Sequence, residues 1–117
     1  MLTKLELQEK IGSGILLDGA TGSNLQKAGM PRGCCTEQWI LEHPQALIQL
    51  QQSYAKAGSQ ILYAPTFQAQ PIALEKVGLH RQTEAINAQL VALTRSVSDN
   101  VLVAGNLTTL ATFTDSF

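Results

Sequence analysis

In Leu16-Leu17-Asp18-Gly19-Ala20-Thr21-Gly22-Ser23 a single carboxylate stands between an apolar run, Ile15 to Leu17, and a loop with two glycines in four positions. Such a carboxylate can hold a substrate ammonium. The backbone N–H groups of Gly19 to Gly22 can receive an anion, because glycine lets the main chain approach a ligand closely. An amino acid carries both charges, so one loop of this kind can grip it at both. The same residues also make a tight turn with Asp18 as a cap or turn former. The loop is not a P-loop, since no Gly-Lys-Ser/Thr follows, and its glycine spacing is not that of a dinucleotide-binding turn.

Other candidates are scattered. Cys34 and Cys35 are adjacent, and their thiolates are candidate metal ligands or nucleophiles. His43 and His80, the only histidines, do not fall at a zinc-motif spacing from them. The bland alternative is a pair of small side chains in a loop. Neighbouring cysteines rarely bridge each other, so no disulfide framework is expected. Glu37 and Trp39 precede the His43-Pro44 step, with Trp39 read as a packing anchor. Thr66 and Phe67, and further on Asn106 and Thr108, sit where pocket-lining residues or plain turns would both fit.

The elements that position these residues follow from periodicity. Thr3 to Ile11 reads as a short helix, stopped by Gly12-Ser13-Gly14. Ile15 to Leu17 reads as a strand covered on both faces. A short helix is predicted over Ser23 to Ala28, ended by Gly29. Pro44 opens a helix whose apolar face is Leu47, Leu50, Tyr54 and Ala57, capped by Gly58. Gln60 to Ala64 is a second strand, ended by Pro65. A short helix over Ile72 to Val77 and a longer one from Arg81 to Val97 follow. The longer helix presents Ile86, Leu90, Leu93 and Val97 on one face. Val101 to Ala104 is a third strand. Alternating short apolar strands and amphipathic helices predict an α/β fold of parallel βαβαβ units. In such folds ligands bind at the carboxyl ends of the strands, which is where Asp18, Thr66 and Asn106 fall.

The 117-residue chain is long enough for a real core, and its composition is globular. A net charge of −1 argues against a nucleic-acid partner. No apolar run reaches the roughly 20 residues that span a bilayer. The N-terminus lacks the apolar stretch of a signal peptide, so a cytoplasmic location is the default.

Four segments resemble the homocysteine S-methyltransferase family, which includes the N-terminal module of cobalamin-dependent methionine synthase. They are Leu16 to Ser23, Gly29 to Trp39, His43-Pro44 running to Tyr54-Ala55-Lys56-Ala57-Gly58, and Ile61-Leu62-Tyr63-Ala64-Pro65-Thr66-Phe67. They occur in the family's order, over residues 10 to about 106. The resemblance implies a (β/α)8 TIM barrel of about 300 residues. Residues 1–117 would then be the incomplete N-terminal part of a homocysteine-binding domain, holding its first three strands. It implies zinc-dependent methyl transfer, from methylcobalamin or another donor, to the sulfur of homocysteine. It also implies a cobalamin-binding domain or corrinoid protein as partner. Asp18 would bind the homocysteine ammonium and the Gly19, Ala20 and Thr21 backbone its carboxylate, with Thr66 and Asn106 at the same end. The family's zinc cysteines lie on late strands, so the zinc role is not carried onto Cys34 or Cys35, and no metal is expected on this chain alone. Gln68-Ala69-Gln70 and Asn106-Leu107-Thr108-Thr109 depart from the family's usual turns. Three strands leave open edges, so the chain alone is expected to be inactive and to form a homo-oligomer. The rival reading is a small non-catalytic α/β module that binds an amino acid or a protein partner.

Overall fold

The computed structural model describes residues 2–109. In chain order it comprises α1 (Lys4–Gly12), α2 (Gly22–Lys27), α3 (Thr36–Glu42), α4 (Pro44–Lys56), β1 (Ile61–Tyr63), α5 (Pro71–Glu75), α6 (Thr83–Arg95) and β2 (Leu102–Ala104). A 3₁₀ turn, His80–Gln82, leads into α6.

Local chemistry explains most of the boundaries. Thr3 and Glu6 form a reciprocal cap on α1. The Thr3 amide donates to Glu6 Oε2 at 2.7 Å and the Glu6 amide donates to Thr3 Oγ1 at 3.1 Å. Gly29 adopts φ +113° just past α2, the left-handed conformation that ends a helix cheaply only in glycine. Pro71 occupies the first turn of α5, and Gln70 Oε1 caps it by accepting from the Ile72 and Ala73 amides.

β1 and β2 pair in parallel, with Ile61 opposite Leu102, Leu62 opposite Val103 and Tyr63 opposite Ala104. α4 packs against β1, α6 against β2, and α4 and α6 lie against each other. Leu62 and Ala64 are fully buried, whereas Tyr63 on the other face of the strand is exposed. The core is largely a helix-to-helix one, built from Leu25, Ile40, Leu47, Leu74, Ile86 and Leu90.

Four expectations need correction. The predicted first strand, Ile15 to Leu17, is reduced to one parallel bridge between Leu17 and Ile61. It is not covered on both faces: Leu16 is 54% and Leu17 44% exposed, and a strand with so little cover extends poorly. Residues 36 to 42, read as the approach to the Pro44 helix, form a helix of their own. His43, the residue before proline, is held out of helical geometry at φ −132°, and this separates α3 from α4. The buried face of α4 includes Gln51 where an apolar residue is expected, and Ala57 is exposed. The reason is a hydrogen bond of 3.0 Å from Gln51 Nε2 to the Tyr63 carbonyl, which ties the helix to β1. On α6, Ile86 and Leu90 are buried as the spacing predicts, but Thr94 is buried with them and the helix ends at Arg95.

Leu47 is fully buried among α3, α4 and α6, so truncating it leaves a cavity that these helices cannot easily close. Leu47→Ala is expected to lower the unfolding free energy by about 2–5 kcal/mol, read by denaturant titration.

Candidate substrate site

The carboxylate of Asp18 continues the strand ladder in place of a main-chain carbonyl. The Gln60 and Ile61 amides donate to the Leu16 carbonyl, at 2.7 and 3.4 Å. The next amide in the parallel pattern is that of Tyr63, whose acceptor would be the Asp18 carbonyl. It donates instead to Asp18 Oδ2 at 3.1 Å. The side chain thereby ends the pairing and frees the backbone from Asp18 onward to turn away. Side chains lock the preceding residues as well. The Leu16 amide donates to Gln60 Oε1 at 2.9 Å, and the buried Ser59 hydroxyl donates to the Leu17 carbonyl at 3.1 Å.

The turn after Asp18 is fixed from α4. The Tyr54 hydroxyl donates to the Ala20 carbonyl at 2.7 Å, and Asn24 Nδ2 donates to the same oxygen at 2.9 Å. The Tyr54 ring lies so close to Gly19 that a Cβ there would sit 2.9 Å from its Oη and 3.0 Å from its Cε1. Gly19 is thus required by a close approach rather than by an unusual φ.

A cavity of about 360 Å³ opens at this end of the strands. Asp18, Gly19, Thr21 and Gly22 line it from the first loop, and Thr36 and Glu37 from the start of α3. Tyr63 to Pro65, Phe67 and Gln68 line it from β1 and the following loop, and Asn106 from the loop after β2. The structure therefore brings Asp18, Gly19, Thr21 and Asn106 together. Ala20 and Thr66 are near neighbours with other tasks. The Ala20 carbonyl is taken by Tyr54 and Asn24. The Thr66 hydroxyl donates to the Asn106 carbonyl at 2.9 Å and accepts from the Asn106 amide at 2.9 Å, which joins the loops after β1 and β2. Glu37, Tyr54 and Gln68 were not singled out as site residues in the sequence. The one available signal for Glu37 was an acid in the first turn of a helix, and that helix was not foreseen.

Burial raises the Asp18 carboxyl above its ordinary range, against the opposing pull of the Tyr63 amide. Cys35 is half-buried and its thiol is also raised, first by burial, with the Glu37 carboxylate adding to it. Cys34 is exposed. Among the described residues no three His, Cys, Asp or Glu side chains converge as a metal site, so the donor set does not fit a zinc ion.

The homocysteine S-methyltransferase family profile matches residues 15–116. The chain belongs to that family. It is 31% identical over 109 residues to the S-methylmethionine--homocysteine S-methyltransferase BHMT2 of Pongo abelii, and equally to that of Rattus norvegicus. Each match covers 89% of this chain and 29% of the relative. Among solved structures it is similar to the homocysteine methyltransferase MmuM of Escherichia coli in its metallated form, with a TM-score of 0.71 and 25% identity. That match covers 87% of this chain and 39% of MmuM. The chain thus spans less than a third of the length of the curated relatives it matches. No helix among its described residues is long and apolar enough to cross a membrane.

The ladder bond separates two roles for Asp18. A group whose folded pKa is raised contributes most to stability below its unfolded pKa, and that contribution is lost as pH rises through the folded pKa. At neutral pH the ionised Asp18 is therefore a cost to the fold, and its acceptor oxygen is the gain. Asp18→Asn keeps an acceptor for the Tyr63 amide and removes the buried charge, whereas Asp18→Ala removes both. In thermal and denaturant melts at neutral pH, the Asp18→Asn variant is expected to match or exceed the parent. The Asp18→Ala variant is expected to fall about 1 kcal/mol below Asp18→Asn.

Proposed function

We propose that this chain forms the amino-acid grip of a homocysteine S-methyltransferase, an enzyme that moves a methyl group to the homocysteine sulfur and releases methionine. The observation that carries this reading is the half-buried Asp18 carboxylate on the wall of a cavity ringed by three strand-end loops. The Tyr63 amide uses one lone-pair position of that carboxylate. Its own amide also leans on it, and the remaining acceptor positions are left for a substrate ammonium. Gly19, Thr21 and Gly22 offer main chain to the substrate carboxylate, and Asn106 closes the same end.

The reading includes the (β/α)8 barrel, with the pairing of the first strand, β1 and β2 as its opening part. A barrel closes only with the full set of strands. The sulfur-activating zinc belongs on cysteines outside this chain, and the grip on the amino acid does not run through it. The methyl donor is methylcobalamin, presented by a corrinoid domain or protein, or a small donor such as the S-methylmethionine of the mammalian relatives' names. Assaying methionine formation from each donor with the intact protein separates them.

Two outcomes test the grip. In the intact protein, Asp18→Asn is expected to weaken homocysteine binding about ten- to a hundredfold, the equivalent of losing one charge-assisted hydrogen bond. Unchanged affinity in calorimetric titration overturns the assignment. The parent's affinity is expected to fall as pH is lowered through the raised Asp18 pKa, because the protonated acid no longer pairs with the ammonium. This loss should begin above the ordinary aspartate range and be absent in Asp18→Asn.

A further inference from the structure

Glu37 is a buried carboxylate, 3% exposed, in the first turn of α3. Its Oε1 accepts from the Gln68 amide at 3.1 Å and its Oε2 from the Cys35 thiol at 3.8 Å. Neither partner is a cation. Burying a carboxylate costs free energy that one amide and one weak thiol donor repay poorly. The position is therefore best understood through what the carboxylate holds.

What it holds is the loop after β1. Thr66 is tied to Asn106, the Ala69 carbonyl accepts from Asn87 Nδ2 at 2.7 Å, and Gln70 caps α5. Between these anchors, the Glu37 bond fixes the Gln68 amide. Phe67 and Gln68, the two residues so framed, both line the cavity that holds Asp18. Glu37 lines that cavity as well as an adjoining one of about 280 Å³, so it stands in the wall between them.

We propose that Glu37 is a positioning residue for the amino-acid cavity: through the Gln68 amide it sets the wall formed by Phe67 and Gln68. This rests on the reading of the cavity as the homocysteine grip. The role demands the reach of the side chain rather than its charge, and two variants separate these. Glu37→Gln has the same length and keeps an acceptor for the Gln68 amide. Glu37→Asp keeps the charge but is one methylene too short.

The test is homocysteine titration of the intact protein, paired with hydrogen exchange at the Gln68 amide and thermal melting. Glu37→Gln is expected to bind within about twofold of the parent with Gln68 still protected. Glu37→Asp is expected to bind about tenfold more weakly with Gln68 exchanging faster. A loss in Glu37→Gln as large as that in Glu37→Asp would mean that reach alone does not meet the demand of the site, and would falsify the proposal. A lowered melting temperature in Glu37→Asp with unchanged affinity reduces Glu37 to a purely structural role and also overturns it. If Glu37→Asp does not fold, Glu37→Gln decides alone: retained affinity supports the proposal and lost affinity refutes it. If the parent takes up no homocysteine, the reading of the grip fails by itself. Gln68 exchange then still decides the clasp, faster exchange in the Asp variant than in the Gln variant supporting it and equal exchange overturning it.

Discussion

The bond from the Tyr63 amide to the Asp18 carboxylate is the constraint on which the candidate site depends. A parallel strand continues for as long as main-chain carbonyls meet the neighbouring amides. Asp18 supplies a side-chain oxygen in place of its own carbonyl, so the ladder ends and the main chain turns into the Gly19 to Gly22 loop. The same act brings the carboxylate to the strand end and holds it there half-buried. Its raised pKa is the energetic trace of that placement. The fold would be easier with a neutral acceptor at this position, but a neutral acceptor would lack the charge that the proposed grip on an ammonium uses.

The rest of the site obeys the same rule on other residues. Paired strands of three residues provide too few ladder bonds to fix the loops that follow them. Side chains take over this work. Tyr54 and Asn24 converge on the Ala20 carbonyl, Thr66 and Asn106 exchange two bonds, Glu37 holds Gln68, and Gln51 holds the Tyr63 carbonyl. Each joins residues distant in sequence or fixes a turn. The loops around the cavity are thus held by side-chain bonds rather than by the strand ladder.

Much of this was legible in the sequence where the signal is local. The Thr3 to Ile11 helix, the proline at the start of α4, the glycine after α2 and the parallel β-α-β order all follow from spacing and capping chemistry. Asp18 does follow the Leu17–Ile61 bridge, although the strand expected before it is reduced to that bridge. The extent of the first strand was not legible, because Ile15 to Leu17 is apolar enough to be buried and only tertiary cover decides whether it is. α3 was hidden because its seven residues carry too short a period to read and lack a side-chain cap. The buried Gln51 and Glu37 were hidden for a deeper reason: their partners, the Tyr63 carbonyl and the Gln68 amide, are main-chain groups, which no pattern of side chains announces.

The charges around the cavity bear on the proposed grip. Asp18 and Glu37 line it, and among the described residues around it there is no lysine or arginine. A free anion entering such a site meets two carboxylates and no cation to offset them. On the proposed grip a zwitterion would differ, because its ammonium would pair with Asp18 while its carboxylate would meet the glycine-rich turn rather than a side-chain cation. The adjacent cysteines do not alter this selection. A thiolate is the reactive form of cysteine, and both the burial of Cys35 and the neighbouring Glu37 carboxylate disfavour it. Of the two cysteines offered as candidate nucleophiles or metal ligands, the one beside the cavity wall is thus shifted away from its thiolate form.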